Sequence, residues 1–235
     1  MGTLYVVATP IGNLDDITIR AVKTLQNVDA IACEDTRKTR ILLSRILPIH
    51  TNTTNNPINK CLISYYEQNE LQRIPKIINA LKNGLNIALV SDAGTPTISD
   101  PGFKLIRECI REGIKIESIP GPSSAITALT SSGLPTDKFL FLGYPPRKPG
   151  HRIKFFQKIT PILSSVGVTS ILFESPHRLL QTLKELKGVF GDIDIVICRE
   201  LTKIHEEIRR EKISESLEHF TKVAPKGELV VLFHL

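Results

Sequence analysis

Short apolar runs alternate along the 235-residue sequence with stretches in which apolar residues recur at helical spacing. Residues 87–90 (IALV) form one such run, which is typical of a buried strand, and from Phe103 to Ile110 apolar residues recur every three to four positions. Residues 4–8 and 30–33 are further strands of this kind, each followed by a helical pattern. Alternating strands and helices predict a parallel sheet joined by right-handed helical crossovers. The sequence therefore predicts an α/β protein.

A second series of strands and helices begins beyond Pro120. Its predicted elements are the strands 139–142, 170–173, 193–198 and 229–233 and the helix 176–187. We therefore expect two α/β domains, residues 1–119 and residues 120–235, each with a central sheet flanked by helices.

The composition excludes several classes of protein. Hydrophobic residues make up 41% of the chain, which is enough for a substantial core, and no apolar run approaches the roughly 18 residues of a membrane-spanning helix. The first residues lack the basic start and longer apolar stretch of a signal peptide, so we expect a cytoplasmic protein without a membrane partner. Four scattered cysteines and six histidines show no metal-ligand or redox spacing, so we expect reduced thiols and no metal.

The charge balance favours an anionic partner, because the net charge is +6 and the pI is about 9.2. Positive charge is concentrated in Arg209, Arg210 and Lys212, and in four residues assigned to a Pro/Gly-rich loop: Arg147, Lys148, Arg152 and Lys154. We hypothesise that these four residues grip phosphates. Ordinary solvated faces are the alternative.

Polar segments follow several predicted strands at their carboxyl ends, where α/β proteins hold small ligands. In residues 91–102 (SDAGTPTISDPG), two X-Pro steps fix the backbone, two glycines let a ligand approach it, and Asp92 and Asp100 offer hydrogen-bond acceptors. Residues 34–37 (EDTR) follow the second strand, and residues 123–124 (SS) lie at a helix N-terminus, where free N–H groups can receive a ligand oxygen. Rigid turns and ordinary helix caps are the alternative interpretation.

Five motifs, in order and over nearly the whole chain, closely resemble those of one family. They are residues 9–18 (TPIGNLDDIT), 34–37 (EDTR), 91–102, 120–124 (PGPSS) and 173–178 (FESPHR). The family is the bacterial 16S ribosomal RNA cytidine 2′-O-methyltransferases of the tetrapyrrole methylase superfamily. The resemblance implies two α/β domains with S-adenosylmethionine in the cleft between them, a homodimer, and ribosomal RNA or the small ribosomal subunit as the substrate.

The resemblance also implies roles for individual residues. The residues implied to line the cofactor pocket are Ile11, Asp92, Thr95, Ser123 and Ser124. Phe173, Leu201 and Leu229 occupy second-domain positions that close over the cofactor in the superfamily. The residues implied to contact RNA are Glu34, Arg37, His177, Arg178 and Arg199, and the basic loop residues would grip its phosphates.

Methyl transfer to a ribose hydroxyl is an in-line displacement that needs no metal, and we expect positioning to dominate its catalysis. Orientation can contribute about 7–11 kcal/mol, compared with about 3–5 kcal/mol from a general base. Four carboxylates at strand ends qualify as a base, without a ranking: Asp35, Asp100, Glu174 and Glu200. Arg37, Arg178 and Arg199 would hold phosphates or orient these acids. The alternative is that residues 34–40 and 174–178 only cap helices and form internal ion pairs. His177 lies at the start of a predicted helix, where a histidine is more often a cap or a packing residue than a base.

Three features depart from the family pattern. Extra Asn/Thr-rich sequence lies between Leu43 and Ile63 and includes residues 51–59, which we predict to form an exposed loop. The family's Ser-Tyr-His-Glu-His-Asn-Glu is SYYEQNE at residues 64–70, so neither histidine position can do acid/base work here. The sequence ends at Leu235, where many relatives continue into a small helical extension, so we expect RNA binding to depend more on the basic loops or on dimerisation.

Two other functions fit part of the sequence. A porphyrin-type C-methyltransferase would share the fold and would also act on a polyanion, because fold and cofactor pocket do not fix the acceptor. The 34–37 and 173–178 motifs favour RNA over that substrate. A non-catalytic module that binds S-adenosylmethionine or another nucleoside as a signal would account for the missing histidines, but not for the charged residues kept at several strand ends.

Overall fold

The computed structural model describes residues 1–46 and 60–235, so the loop predicted at residues 51–59 lies outside the described residues. The chain divides into two compact units, Met1–Ser123 and Ser124–Leu235. This division lies four residues beyond the boundary predicted from the sequence. Among the described residues, no helix is both long enough and apolar enough to cross a membrane.

The first unit contains a five-stranded parallel sheet, which confirms the predicted α/β class. Its elements are β1 (Thr3–Val7), α1 (Ile19–Asn27), β2 (Ala30–Cys33), α2 (Thr36–Ile46), β3 (Cys61–Ser64), α3 (Glu70–Lys82), β4 (Ile87–Val90), α4 (Phe103–Arg111) and β5 (Lys115–Ile119). The strand order is β3-β2-β4-β1-β5, and every pair is parallel. All five carboxyl ends therefore lie at one edge of the sheet.

The side chains of β4 show why this strand is an unbroken apolar run. Ile87 and Leu89 belong to a core that includes residues of α3 and α4, whereas Ala88 and Val90 belong to a second core that includes residues of α1 and α2. Successive side chains point to opposite faces of a strand, so a sheet covered by helices on both faces needs apolar residues at every position. At the start of α1, the Thr18 hydroxyl caps the helix by accepting a hydrogen bond from the Ala21 N–H.

The second unit contains a five-stranded sheet of mixed direction. Its elements are α5 (Ser124–Ser132), β6 (Phe139–Phe141), α6 (Pro149–Val166), β7 (Thr169–Glu174), α7 (Leu179–Phe190), β8 (Asp194–Arg199), β9 (Glu207–Lys212), α8 (Ile213–Lys222) and β10 (Leu229–His234). The strand order is β6-β7-β10-β8-β9, in which only β6 and β7 run parallel. Apolar residues of α6, α7 and α8 pack against one face of this sheet.

Three elements of the second unit, α6, β9 and α8, were not predicted. The sequence of β9 is EIRREK, which lacks the apolar signal of a strand because β9 is an edge strand and edges of sheets tolerate charge. Helix α6 begins at Pro149, within the segment that we interpreted as a Pro/Gly-rich loop. Proline at the first helical position fits the helix geometry, so it marks a start here and not a break.

Candidate functional site

Three loops at the carboxyl edge of the first sheet are tied together by hydrogen bonds. The Thr9 N–H donates to the Gly94 carbonyl at 2.9 Å, and the Gly94 N–H donates back to the Thr9 carbonyl at 3.0 Å. The Thr95 hydroxyl donates to the Pro122 carbonyl at 3.0 Å. The loops that follow β1, β4 and β5 therefore form one connected structure.

These loops approach each other so closely that two positions require glycine. A Cβ atom on Gly94 would lie 3.2 Å from Cγ2 of the buried Ile11, and the φ of Gly94 is +79°. A Cβ atom on Gly121 would lie 3.0 Å from Cβ of Ala8. The convergence leaves peptide groups and short polar side chains at the edge of the sheet, where a ligand can contact the backbone.

Several residues that the family resemblance assigns to the cofactor lie on these tied loops. Ile11, Asp92, Thr95 and Ser123 belong to the first unit, and Ser124 is the first residue of α5 and of the second unit. Their contact with S-adenosylmethionine stays a prediction, as does the cleft between the domains.

The second half of the 91–102 loop has an unusual backbone. Thr97 and Ser99 adopt positive φ angles of 75° and 65°, and Gly102 has a φ of 134°. A positive φ is costly for a β-branched residue such as Thr97, on the order of 1–3 kcal/mol. Strain of this kind concentrates at ligand-binding loops.

A cavity of about 330 Å³ lies beside this strained segment. It is lined by residues 99–104 together with Glu67 and Glu70. Glu70 is buried, accepts a hydrogen bond from the Tyr65 hydroxyl at 3.1 Å, and pairs with Lys104 at 2.5 Å. Sequence reasoning missed this cavity, although residues 64–70 had been noted for their missing histidines.

The loop after β2 is connected to the loop after β4 through Asp92. The Asp35 N–H donates to Asp92 Oδ1 at 3.1 Å, and Lys38 Nζ donates to Asp92 Oδ2 at 2.7 Å. Asp92 therefore organises the EDTR motif as well as its own loop.

The Asp35 carboxylate is held by Arg37. It accepts hydrogen bonds from the Arg37 backbone N–H at 2.8 Å, from Nε at 3.2 Å and from Nη2 at 2.9 Å. These bonds lower the pKa of Asp35 to about 2. A carboxylate with so low a proton affinity is a weak general base at neutral pH.

Glu34, the neighbouring residue, has the opposite environment. Burial, followed by the nearby charges of Asp100 and Asp92, raises the pKa of Glu34 to about 7. Its Oε1 atom is buried and has no hydrogen-bond partner among the described residues. The sequence placed Glu34 among the residues implied to contact RNA, but gave no signal of this environment.

Glu174, in the second unit, is buried and fully engaged. Its Oε1 accepts from the Ser175 N–H at 2.7 Å and pairs with Arg178 Nη2 at 2.6 Å, while Oε2 accepts from the Thr182 hydroxyl at 2.5 Å. Arg178 also donates to the Pro145 carbonyl at 3.2 Å. The 173–178 motif therefore forms the internal ion pair that was its alternative interpretation, and Glu174 is poorly placed to act as a base. His177 is exposed.

Glu200 closes the turn after β8. Its Oε1 accepts from the Glu228 N–H and from Lys203 Nζ, each at 2.9 Å, and its own φ is +50°. Gly227 is needed beside it, because its φ is +83° and a Cβ atom there would overlap Glu200 Oε1. This arrangement gives Glu200 a structural role. Arg199 pairs with Glu207 at 2.8 Å.

Phe173, Leu201 and Leu229, the second-unit residues assigned to the cofactor, lie near the carboxyl ends of β7 and β8. Leu229 pairs with Glu174 of β7 on one side and with Arg199 of β8 on the other, and Leu201 follows β8. Leu201 and Leu229 are buried, and Phe173 packs edge-to-face against Phe141 and Tyr144.

Arg152 is not available to an external phosphate, which corrects its assignment to the phosphate-gripping set. It is 1% exposed, and Nε and Nη2 donate to the two oxygens of the Glu185 carboxylate at 2.5 Å and 2.9 Å. The pair joins α6 to α7. Arg147, Lys148 and Lys154 are exposed and remain candidates.

The basic cluster on β9 is also used internally. Arg209 pairs with Glu211 at 2.7 Å and with Glu207 at 3.3 Å. Arg210 donates to the Ser132 and Ser131 carbonyls at the end of α5, where a positive charge is favourable. Among the described residues, no group of three or more His, Cys, Asp or Glu side chains is arranged to hold a metal ion.

The structure places the chain among the α/β proteins, and glycine-containing loops joined at the carboxyl edge of a parallel sheet, beside a carboxyl group of raised pKa, indicate where such proteins hold small molecules. Residues 3–216 match the family model of the tetrapyrrole (corrin/porphyrin) methylases. The chain belongs to this family of methyltransferases, whose methyl donor is S-adenosylmethionine.

Curated relatives match along nearly the whole chain. A protein of Thermotoga maritima named ribosomal RNA small subunit methyltransferase I is 45% identical over 99% of this chain and 98% of its own length. A protein of the same name from Hydrogenobaculum sp. is 49% identical over 97% of this chain and 94% of its own length.

Solved structures share the fold at low sequence identity. The methyltransferase CobJ matches with a TM-score of 0.71 and 16% identity, covering 100% of this chain and 95% of its own. Diphthine synthase matches with a TM-score of 0.66 and 14% identity, covering 99% and 90%. These two structures are named for different activities, so the fold alone does not identify the acceptor.

Proposed function

We propose that this chain transfers a methyl group from S-adenosylmethionine to the ribose 2′-hydroxyl of a cytidine in 16S ribosomal RNA. The proposal depends mainly on one observation: Asp92 connects the EDTR motif to the loop after β4. This connection brings acidic and basic side chains to the predicted methyl-donor pocket. The names of the relatives, at 45% and 49% identity, support ribosomal RNA as the acceptor.

The tied loops fit a nucleoside-type cofactor. Because residues 94 and 121 are glycines, the loops can approach each other closely. With no side chain at these two positions, a ligand can contact the backbone peptide groups directly. Ile11 would pack against it, and Asp92, Thr95, Ser123 and Ser124 would offer hydrogen bonds; Phe173, Leu201 and Leu229 would add apolar contacts. When bound, the cofactor supplies an activated methyl group and a good leaving group.

The remaining task of the protein is to hold RNA in line with that methyl group. Arg37 has 85% of its side chain exposed, and its guanidinium is a suitable phosphate ligand as well as the partner of Asp35. Arg147, Lys148 and Lys154 are further exposed cations. Because orientation contributes about 7–11 kcal/mol in well-aligned reactions, correct docking of RNA accounts for most of the expected rate enhancement.

Labelled S-adenosylmethionine and small ribosomal subunits test the proposal. We expect label in 16S ribosomal RNA at a single cytidine, with the adjacent phosphodiester resistant to alkali because the 2′-oxygen is blocked. Asp92→Ala, which we expect to bind S-adenosylmethionine weakly, serves as the control and should incorporate less label than the wild type. Label on a base, or no label in RNA, would contradict the proposal.

We also propose a homodimer that acts in the cytoplasm, where ribosomal RNA is available. Large apolar side chains are exposed on α3 and α4, among them Leu71, Phe103 and Ile110, and pairing of two chains would cover such side chains. Light scattering after size-exclusion chromatography tests this, and a monomer at micromolar concentration would contradict it.

A further inference from the structure

Three of the four carboxylates considered as a general base are already used for other interactions. Asp35 is held by three hydrogen bonds from Arg37. Both oxygens of Glu174 accept hydrogen bonds inside the second unit, and Glu200 closes its own turn. Asp100, the fourth, lines the cavity beside the strained segment.

Glu34 was not in that set, yet its placement suits the task. It follows β2, whose last residue, Cys33, is paired with Val90 of β4, so Glu34 lies at the carboxyl edge beside the start of the 91–102 loop. Its carboxylate accepts a hydrogen bond from the Asp92 backbone N–H, which fixes the group. Oε1 is buried without a partner among the described residues.

An unsatisfied buried carboxylate oxygen is unfavourable, and it calls for an explanation in terms of a missing donor. A ribose hydroxyl that reaches Oε1 would donate the hydrogen bond that this atom lacks. We propose that Glu34 is the general base for methyl transfer, a role that rests on the function proposed above.

The step balances as a single displacement. As the new bond forms between the 2′-oxygen and the methyl carbon, the hydroxyl proton passes to the Glu34 carboxylate. The carbon–sulfur bond of the methyl donor breaks, and its electron pair stays on sulfur. Glu34 leaves the step protonated and returns its proton to solvent when the products dissociate.

The electrostatic environment supports this role. Burial raises the pKa of Glu34 to about 7, the negative charges of Asp100 and Asp92 contribute in the same direction, and Lys38 opposes them. A base is most effective when its pKa lies near the working pH, since it is then both largely ionised and strongly proton-accepting. Asp35, whose pKa is about 2, lacks that proton affinity.

The pH dependence of single-turnover methylation tests the inference, with small ribosomal subunits and S-adenosylmethionine both saturating. In the wild type, the rate should fall about tenfold for each pH unit below about 7. Glu34→Gln should reduce the rate by about 10²–10⁴-fold and abolish that acid limb, while the KM for S-adenosylmethionine changes less than about twofold. Glu34→Asp should keep the acid limb at a reduced rate. Glu117→Gln, a surface carboxylate of the same unit, is the matched control and should behave as the wild type.

Asp100→Asn separates the two remaining candidates. If Glu34 is the base, removing the neighbouring negative charge should move the acid limb to lower pH while methylation persists. Loss of methylation in Asp100→Asn, or a Glu34→Gln rate within tenfold of the wild type, would overturn the inference while leaving the proposed function intact. Absence of transfer by the wild type would overturn the proposed function itself.

Discussion

Replacing Glu34 by glutamine should make the folded protein more stable at alkaline pH. The fold keeps this carboxylate partly dehydrated and close to Asp92 and Asp100, so ionisation is unfavourable in the native state. Glutamine keeps the shape and the acceptor for the Asp92 N–H, but it carries no charge. Its amide group can also donate to a neighbouring carboxylate.

The magnitude follows from proton linkage. The pKa rises from 4.5 to about 7 on folding, which corresponds to about 3 kcal/mol at about 1.4 kcal/mol per tenfold change in proton affinity. Glu34 is only half-buried, so solvent screening reduces this to about 1–2 kcal/mol. Since the folded-state pKa is raised, the wild type is favoured while the carboxyl group is protonated and loses that stability as the pH rises from about 4.5 to about 7.

Thermal unfolding of the wild type and of Glu34→Gln at pH 4.5 and pH 8 measures this directly. The two proteins should unfold at nearly the same temperature at pH 4.5. At pH 8 the variant should unfold roughly 2–8 °C higher, for a chain of this length. A variant that is less stable at pH 8, or a difference that does not depend on pH, would refute the reasoning about Glu34.

Three other predictions follow from the structure. Asp92→Ala should weaken S-adenosylmethionine binding at least tenfold in calorimetric titration, because it loosens two loops at once; unchanged affinity would remove Asp92 from the pocket. Arg152→Ala should cost about 3–5 kcal/mol of unfolding free energy in urea, since it leaves the buried Glu185 charge unpaired, and adding Glu185→Leu should recover much of that loss; if the single variant loses less than about 1 kcal/mol, the pair is not buried as described. Replacing Lys148 and Lys154 by glutamine should weaken binding to RNA and lower the slope of log affinity against log salt by up to about 1.4; an unchanged slope would show that these lysines do not contact phosphates.

The alternation of apolar runs and helical patterns was sufficient to predict the first unit. Residues 87–90 had to lie in a strand covered on both faces, because four consecutive apolar residues fit no half-exposed strand, and β4 has this environment. The second unit was harder to predict. In β9 a sequence of mostly charged residues forms an edge strand, which periodicity cannot distinguish from a solvated loop.

The candidate site was predictable as a set of loops but not as a set of ionisation states. Parallel strands bring their carboxyl ends to one edge, so the sequence could indicate that the 34–37 and 91–102 motifs meet. Whether each carboxylate is paired, exposed or dehydrated depends on distances across the sheet. Asp35 and Glu34 are adjacent in sequence, yet Arg37 lowers the pKa of one while burial raises the pKa of the other.

By itself, the sequence determined the α/β class, the two series of elements and the polar loops at strand ends, because these follow from local periodicity and from residues with special backbone preferences. Only the tertiary structure decided which charged side chains are exposed to a ligand and which are paired inside the protein. Arg152 looked like a surface cation and is buried against Glu185 through a contact 33 residues away along the chain. Such pairings arise when elements distant in sequence pack together, and no local pattern of residues specifies them.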